Sequence, residues 1–145
     1  MGSLTMDQMR MKEIKTEAEL QAVLDLCYGV LGERTGEPYG YEAWLSRLHD
    51  GLQPLVYAEK DGRVVSAVLG RAENSENLVI GFAACDAAFR GQGITRRLMG
   101  YFEEIARQMG FRSIALGSQA DGFYEKCGYQ KIREVHGQSV FQKKL

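Results

Sequence analysis

The sequence predicts an α/β (α+β) fold: a mixed, mostly antiparallel central sheet flanked by helices in a single domain. Three observations predict it. An apolar run at residues 78–85 leads through a glycine-rich turn into a helix with one apolar stripe. Before it, an Asp61-Gly62 pair joins two strand-like runs, a strong hairpin signal. The length of 145 residues suits one domain, since domains run roughly 100–200 residues.

Residues 1–10 are polar and Met-rich, and are expected to form a disordered extension outside a domain spanning 11–145. Residues 11–15 suit a short first strand. Thr16 with Glu19 three residues on makes a capping box, and Leu20, Val23, Leu24, Cys27, Val30 and Leu31 follow at helical spacing. Residues 32–40 read as a loop broken by Gly36 and Pro38. A second helix over 41–48 carries Trp44, Leu45 and Leu48 on one side and stops near Gly51. The hairpin strands cover 55–58 and 64–69, and 74–77 is a polar turn. The run 78–85 is apolar on both faces, which places it centrally. The next helix, 95–109, has the stripe Leu98, Phe102, Ile105 and Met109, flanked by Met99 and Ala106, and ends at Gly110. A strand at 113–116 follows, parallel to 78–85 through a right-handed crossover. A short helix at 121–127 and two strands at 130–135 and 139–143, turning at Gly137, complete the chain.

Composition excludes several functions. Eighteen Lys+Arg against nineteen Asp+Glu leave a net charge of −1, so neither a strongly basic nucleic-acid binder nor an acidic disordered tail is expected. No run reaches the roughly 18 apolar residues of a membrane helix, and no membrane partner is expected. The three cysteines, Cys27, Cys85 and Cys127, lack metal-ligand spacing and read as reduced buried thiols. No metal is implied. Without a signal-peptide core near the start, the expected location is cytoplasmic. Glycine is abundant, 17 residues, which points to turns and close backbone approach.

The chemically informative stretch is Cys85-Asp86-Ala87-Ala88-Phe89-Arg90-Gly91-Gln92-Gly93-Ile94-Thr95-Arg96-Arg97. A strand ends, two glycines turn the chain, and a helix begins. The first helical turn has unspent N–H groups and partial positive charge, and arginines add cations. That combination suits a pyrophosphate; a plain strand-to-helix turn with surface arginines has the same residues. No Lys-Ser/Thr pair follows, so this is not a Walker loop, and the third glycine of a dinucleotide fingerprint is missing.

The segment Arg90-Gly91-Gln92-Gly93-Ile94-Thr95 resembles the Arg/Gln-x-x-Gly-x-Gly/Ala motif of the GNAT acetyltransferase superfamily. Residues 118–129, with Phe123-Tyr124 and Gly128-Tyr129, resemble that family's later Ala-x-x-Phe-Tyr-x-x-x-Gly-Phe/Tyr block at the family's spacing. The resemblance is close over 55–145 and topological before it. It implies acetyl-CoA as acetyl donor, its pyrophosphate held by Arg90 and by the backbone of Gly91, Gln92, Gly93, Ile94, Thr95 and Arg96. It implies a pantetheine arm along Phe82, Ala83, Ala84 and Cys85, with Ser118 near the cofactor. Tyr124 matches the family's general acid. Thr95 departs from the family's Gly or Ala and is expected to add bulk and a hydroxyl donor near the phosphate. Relatives often place a Glu on the central strand as base; none is present in 78–85, and Glu73 just before it is the candidate. Acceptor contacts would come from Glu33, Arg34, Tyr39, Tyr41 and Trp44. The implied reaction is acetylation of a primary amine, that of a small molecule ahead of a protein amine. The rivals are an acyl-CoA sensing domain that lost its base and a nucleotide-binding module. A homodimer through the exposed late strands is compatible with the sequence.

Overall fold

A computed structural model describes residues 9–32, 39–120 and 122–145 of the chain. The elements run β1 (Met9–Glu13), α1 (Glu17–Leu31), α2 (Tyr41–Asp50), β2 (Leu55–Lys60), β3 (Arg63–Ala72), β4 (Asn77–Cys85), a 3-10 turn (Ala87–Phe89), α3 (Ile94–Gln108), β5 (Ser113–Ser118), α4 (Phe123–Lys126), β6 (Gln130–Val135) and β7 (Gln138–Lys144). The order is the expected one, with the first strand present. That strand starts earlier than expected because Met9 and Arg10 pair with Lys60 and Glu59. Among the described residues the strands form one sheet ordered β1-β2-β3-β4-β5-β7-β6. All neighbours are antiparallel except β4 and β5. β4 sits at the centre, and the α3 crossover makes it parallel to β5.

Local chemistry sets the boundaries. Thr16 accepts the Glu19 N–H while Glu19 accepts the Thr16 N–H, a reciprocal cap on α1. Asp61 (φ 52°) and Gly62 (φ 77°) both occupy the left-handed region, which matches a two-residue turn to the strand twist. His136 and Gly137 repeat this between β6 and β7.

Two cores flank the sheet. Leu98, Phe102, Ile114 and Phe141 are buried on the face covered by α3 and α4. Leu20, Leu24, Trp44 and Leu69 are buried on the face covered by α1 and α2. Burying each such side chain contributes about 1.5–3 kcal/mol. The α3 stripe differs from expectation at two places: Met109 lies beyond the helix and is exposed, while Glu103 is buried.

One irregularity in β4 shapes everything downstream. Leu69 pairs with Phe82, but the next residue, Gly70, pairs with Ile80, leaving Gly81 as a bulge. An extra residue shifts the side-chain alternation by one place. Leu78 and Ile80 therefore face the α3 core, whereas Phe82 and Ala84 face the α1/α2 core. Ala83 turns toward α3. Only glycine fits the bulge, because a Cβ there would lie 2.7 Å from Cη2 of the buried Trp44 ring and 2.9 Å from its Cζ2.

The late edge strand β6 is exposed throughout, with its register broken between Lys131 and Arg133. A bulge and charged side chains both hinder edge-to-edge pairing. Among the described residues no helix is long and apolar enough to cross a membrane.

The bulge predicts a coupled pair. Gly81→Ala should cost about 1–3 kcal/mol in urea unfolding, the usual range for overpacking. Trp44→Phe, which removes both ring carbons in the way, should shrink that cost by about 1 kcal/mol or more in the double variant. Additive effects would show that the ring does not dictate the glycine.

Candidate active site

β4 ends at Cys85, and the chain then turns through the 3-10 segment and two glycines into α3. Asp86 accepts the Ala88 N–H at 2.9 Å and pairs with Arg63. Those contacts, the Ala88 bond foremost, hold its carboxyl below the usual range. The carboxylate is thus engaged with the β2–β3 hairpin. Gly91 (φ 78°) and Gly93 (φ 76°) take left-handed backbone, where other residues are strained. Space beside both is open, since a Cβ at either would meet nothing within 4 Å. Gly93 caps α3 without any side-chain bond. The first ladder bond runs from the Arg97 N–H to the Gly93 carbonyl at 3.1 Å, so the amides of Ile94, Thr95 and Arg96 precede the ladder.

A cavity of about 510 Å³ opens on this turn, lined among others by Ala83, Ala84, Cys85, Arg90, Gly93 and Arg96. The glycine turn thus joins two guanidiniums and a free helix start at one opening. Gln92 does not line it; its side chain is exposed on the turn.

The Thr95 hydroxyl has a partner inside the fold. It lies 3.0 Å from that of buried Ser66, and the Ser66 hydroxyl donates to the Ala84 carbonyl at 2.9 Å. With the single Ser66 hydroxyl proton on the Ala84 carbonyl, the Thr95 hydroxyl donates to Ser66, which ties the start of α3 to the β3–β4 pair.

A second cavity, also about 510 Å³, meets the first at Ala83 and Tyr124. It exists because β4 and β5 separate. Their pairing covers only Asn77↔Ser113, Leu78↔Ile114 and Val79↔Ala115. Beyond Val79 the edge of β4 that faces β5 has no strand partner among the described residues. A strand edge of this kind offers N–H and C=O groups to an amide-bearing chain. Gly81, Phe82, Ser118, Gln119 and Gln138 line this side, with Tyr39. The Phe82 ring is occupied by Tyr28, Tyr39 and Trp44, with centroids 5.7, 5.5 and 5.3 Å away, so Phe82 offers only backbone. The Ser118 hydroxyl accepts the Ala120 N–H at 2.9 Å.

The sequence-expected acceptor residues divide. Tyr39 lines the second cavity. Trp44 does not: it is fully buried beneath Gly81, because the bulge leaves a slot that its ring fills. Tyr41 packs, partly buried, against the same core. Glu33 and Arg34 lie outside the described residues. Glu73 is also displaced. It is exposed on the β3–β4 turn, its N–H bonded to the Asn77 carbonyl, and it lines neither cavity. The antiparallel register puts it at the start of β4, the end opposite the glycine turn. Sequence reasoning missed Phe89, Ala120, Phe123, Gln119 and Gln138, which also line the cleft. Gln138 was findable from the β6–β7 turn.

Tyr124 stands where the two cavities meet. It is 8% exposed. Its ring packs on Phe123, Tyr129 and Phe141. Among the described residues its hydroxyl has no hydrogen-bond partner. Burial, then Cys127, pushes its pKa up to about 12, so the phenol holds its proton throughout the neutral range.

A sequence profile of the acetyltransferase (GNAT) family matches residues 17–129. The chain belongs to the GNAT family. The architecture agrees. A structure of an aminoglycoside 6'-N-acetyltransferase complexed with coenzyme A superposes with TM-score 0.77 at 16% identity, covering 93% of this chain and 96% of that one. A GNAT acetyltransferase from Elizabethkingia anophelis with acetyl-CoA bound gives 0.72 at 13% identity, over 96% and 99%. The PaiA N-acetyltransferase from Thermoplasma acidophilum in complex with coenzyme A gives 0.76 at 13%, over 94% and 99%. No curated protein matches the chain in sequence. As a GNAT enzyme the chain is an acetyl-CoA-dependent acetyltransferase. Its cleft fits that donor: free helix amides and two arginines for a pyrophosphate, an open strand edge and small side chains for a pantetheine arm.

The Thr95 geometry yields a test in this GNAT enzyme. Thr95→Val should lower stability by about 1 kcal/mol, the worth of one net hydrogen bond. Calorimetry should find acetyl-CoA affinity within about threefold of the parent, roughly 0.6 kcal/mol. A tenfold loss with unchanged stability would return the hydroxyl to the phosphate.

Proposed function

We propose that the protein transfers the acetyl group of acetyl-CoA to a primary amine of a small molecule by direct attack. The observation that supports this most is the meeting of the two cavities at Tyr124, beside the unpaired edge of β4. One cavity suits the donor, and the other brings an acceptor to the same point. Three of the similar structures are aminoglycoside 6'-acetyltransferases, which favours a small amine over a protein.

The donor supplies an activated thioester carbonyl. Arg90, Arg96 and the amides at the start of α3 hold and orient its diphosphate. The β4 edge holds the arm, and an N–H beyond the Gly81 bulge polarises the carbonyl oxygen, whose developing charge it stabilises. Tyr124 donates a hydrogen bond to the sulfur as the carbon–sulfur bond breaks. A phenol near pKa 12 is a weaker acid than a thiol near 8.5. Tyr124 therefore stabilises the departing thiolate, and the thiolate's own proton comes from the medium. The amine must lose a proton before attack. Among the described residues no carboxylate or imidazole lines the second cavity, so we assign that proton to water reaching it. A cytoplasmic location accords with this donor.

Steady-state thiol release, read over a panel of small amines and peptide N-termini, tests this reading. Small amines should turn over and Tyr124→Phe should lower kcat about 100-fold, the low end for removing one hydrogen-bond donor to a charge that develops in the transition state, while Glu73→Gln leaves it within about twofold. Rates should rise with pH from about 6 to 9, following the amine, with no falling limb, because Tyr124 stays protonated there. Binding of acetyl-CoA without turnover of any amine would replace this reading with an acyl-CoA sensing domain.

A further inference from the structure

Glu103 is the buried ionisable group for which the reaction above has no use. It sits on α3, 5% exposed, among Met99, Phe102 and Ala106. A carboxylate in such surroundings is costly unless paired and hydrogen-bonded. Both of its oxygens are engaged: Oε2 accepts the Tyr129 hydroxyl at 2.9 Å and Oε1 accepts the Lys143 ammonium at 2.9 Å. Lys143 also donates to the Cys127 carbonyl at 2.8 Å.

These partners converge on α4, a single turn of four residues. The Tyr124 carbonyl accepts N–H groups from Cys127 at 3.0 Å and from Tyr129 at 2.9 Å. Cys127 closes the turn, and Lys143 holds its carbonyl from β7. The Tyr129 ring packs edge-on against Tyr124 with centroids 6.0 Å apart. Gly128 (φ 92°) lets the lysine in, since a Cβ there would lie 3.2 Å from Nζ. One helical turn cannot hold itself, because forming the first turn is unfavourable. The position of the Tyr124 ring is therefore set by its anchors. α3 carries the other end of the site, so the same helix starts at the phosphate turn and fixes the phenol about two and a half turns further on.

We propose that Glu103, with Lys143 and Tyr129, is a positioning residue that sets the Tyr124 hydroxyl against the reacting sulfur. The inference rests on the reading of Tyr124 as the hydrogen-bond donor to that sulfur. Small misplacements of a reacting group are expensive in rate, whereas the diphosphate contacts at the other end of α3 do not involve these side chains.

The test is a kinetic cycle on the full chain with acetyl-CoA and an accepted amine. Glu103→Gln should lower kcat about tenfold while the KM for acetyl-CoA stays within about twofold. In a Tyr124→Phe background the same substitution should cause no further loss, because its effect passes through the phenol. Tyr129→Phe keeps the charge pair and the ring; it should give a smaller loss that also vanishes in that background. It serves if Glu103→Gln does not fold. Equal losses in both backgrounds, an unchanged kcat, or a loss confined to KM would overturn the proposal. If Tyr124→Phe alone has no effect, the donor role of Tyr124 fails first and the positioning role falls with it.

Discussion

The slot under Gly81 is the constraint on which the rest of this acetyltransferase depends. A strand whose alternation ran unbroken from Leu78 to Cys85 would keep one set of side chains against α3 throughout. The bulge switches the set, so that Phe82 and Ala84 join the α1/α2 core and Ala83 faces the cleft. It also re-aims the backbone at the level where β4 and β5 part company. The Trp44 ring fills the space where a Cβ would be, so the irregularity is held by a rigid aromatic. Cleft and core are two faces of one packing decision.

α3 connects the two ends of the proposed site. The amides of its first turn precede the helix ladder, and the Thr95–Ser66–Ala84 chain ties that turn to the sheet. Farther along, Glu103 ties the helix to β7 and to the turn carrying Tyr124. Charge is placed sparingly: the arginines line the solvent-reaching cavity, and the one buried carboxylate of α3 is fully paired.

Much of this was legible in the sequence, and the exceptions have physical causes. The capping box, the Asp61-Gly62 turn, the central strand and the crossover follow from local spacing and turn chemistry. The bulge was hidden because residues 78–85 are apolar on both faces, so a one-place shift leaves no mark in the pattern. Trp44 read as an acceptor contact because an aromatic near a binding loop looks the same whether it lines a cavity or fills a slot. The Thr95 hydroxyl was assigned outward because its partner, Ser66, lies on a distant strand. Glu103 left a clue: it falls on the apolar stripe, four places after Met99 and three before Ala106. Lys143 lies two places after buried Phe141 on the same strand. Glu73 was the candidate because it lies just before the central strand in sequence, but β3 ends at Ala72 and leaves it on the turn.

The central claim is that the cleft is shaped for a diphosphate joined to an amide-bearing arm. Thermal unfolding with acetyl-CoA, and with ATP as the comparison, tests it most directly. Ligand at 100 times its dissociation constant adds about 2.7 kcal/mol, which for a chain of this size raises Tm on the order of 5 °C. A rise with acetyl-CoA and none with ATP is the predicted result, because only the first can engage both the helix start and the open edge of β4. No rise at saturating acetyl-CoA, or equal rises with both, would contradict the account.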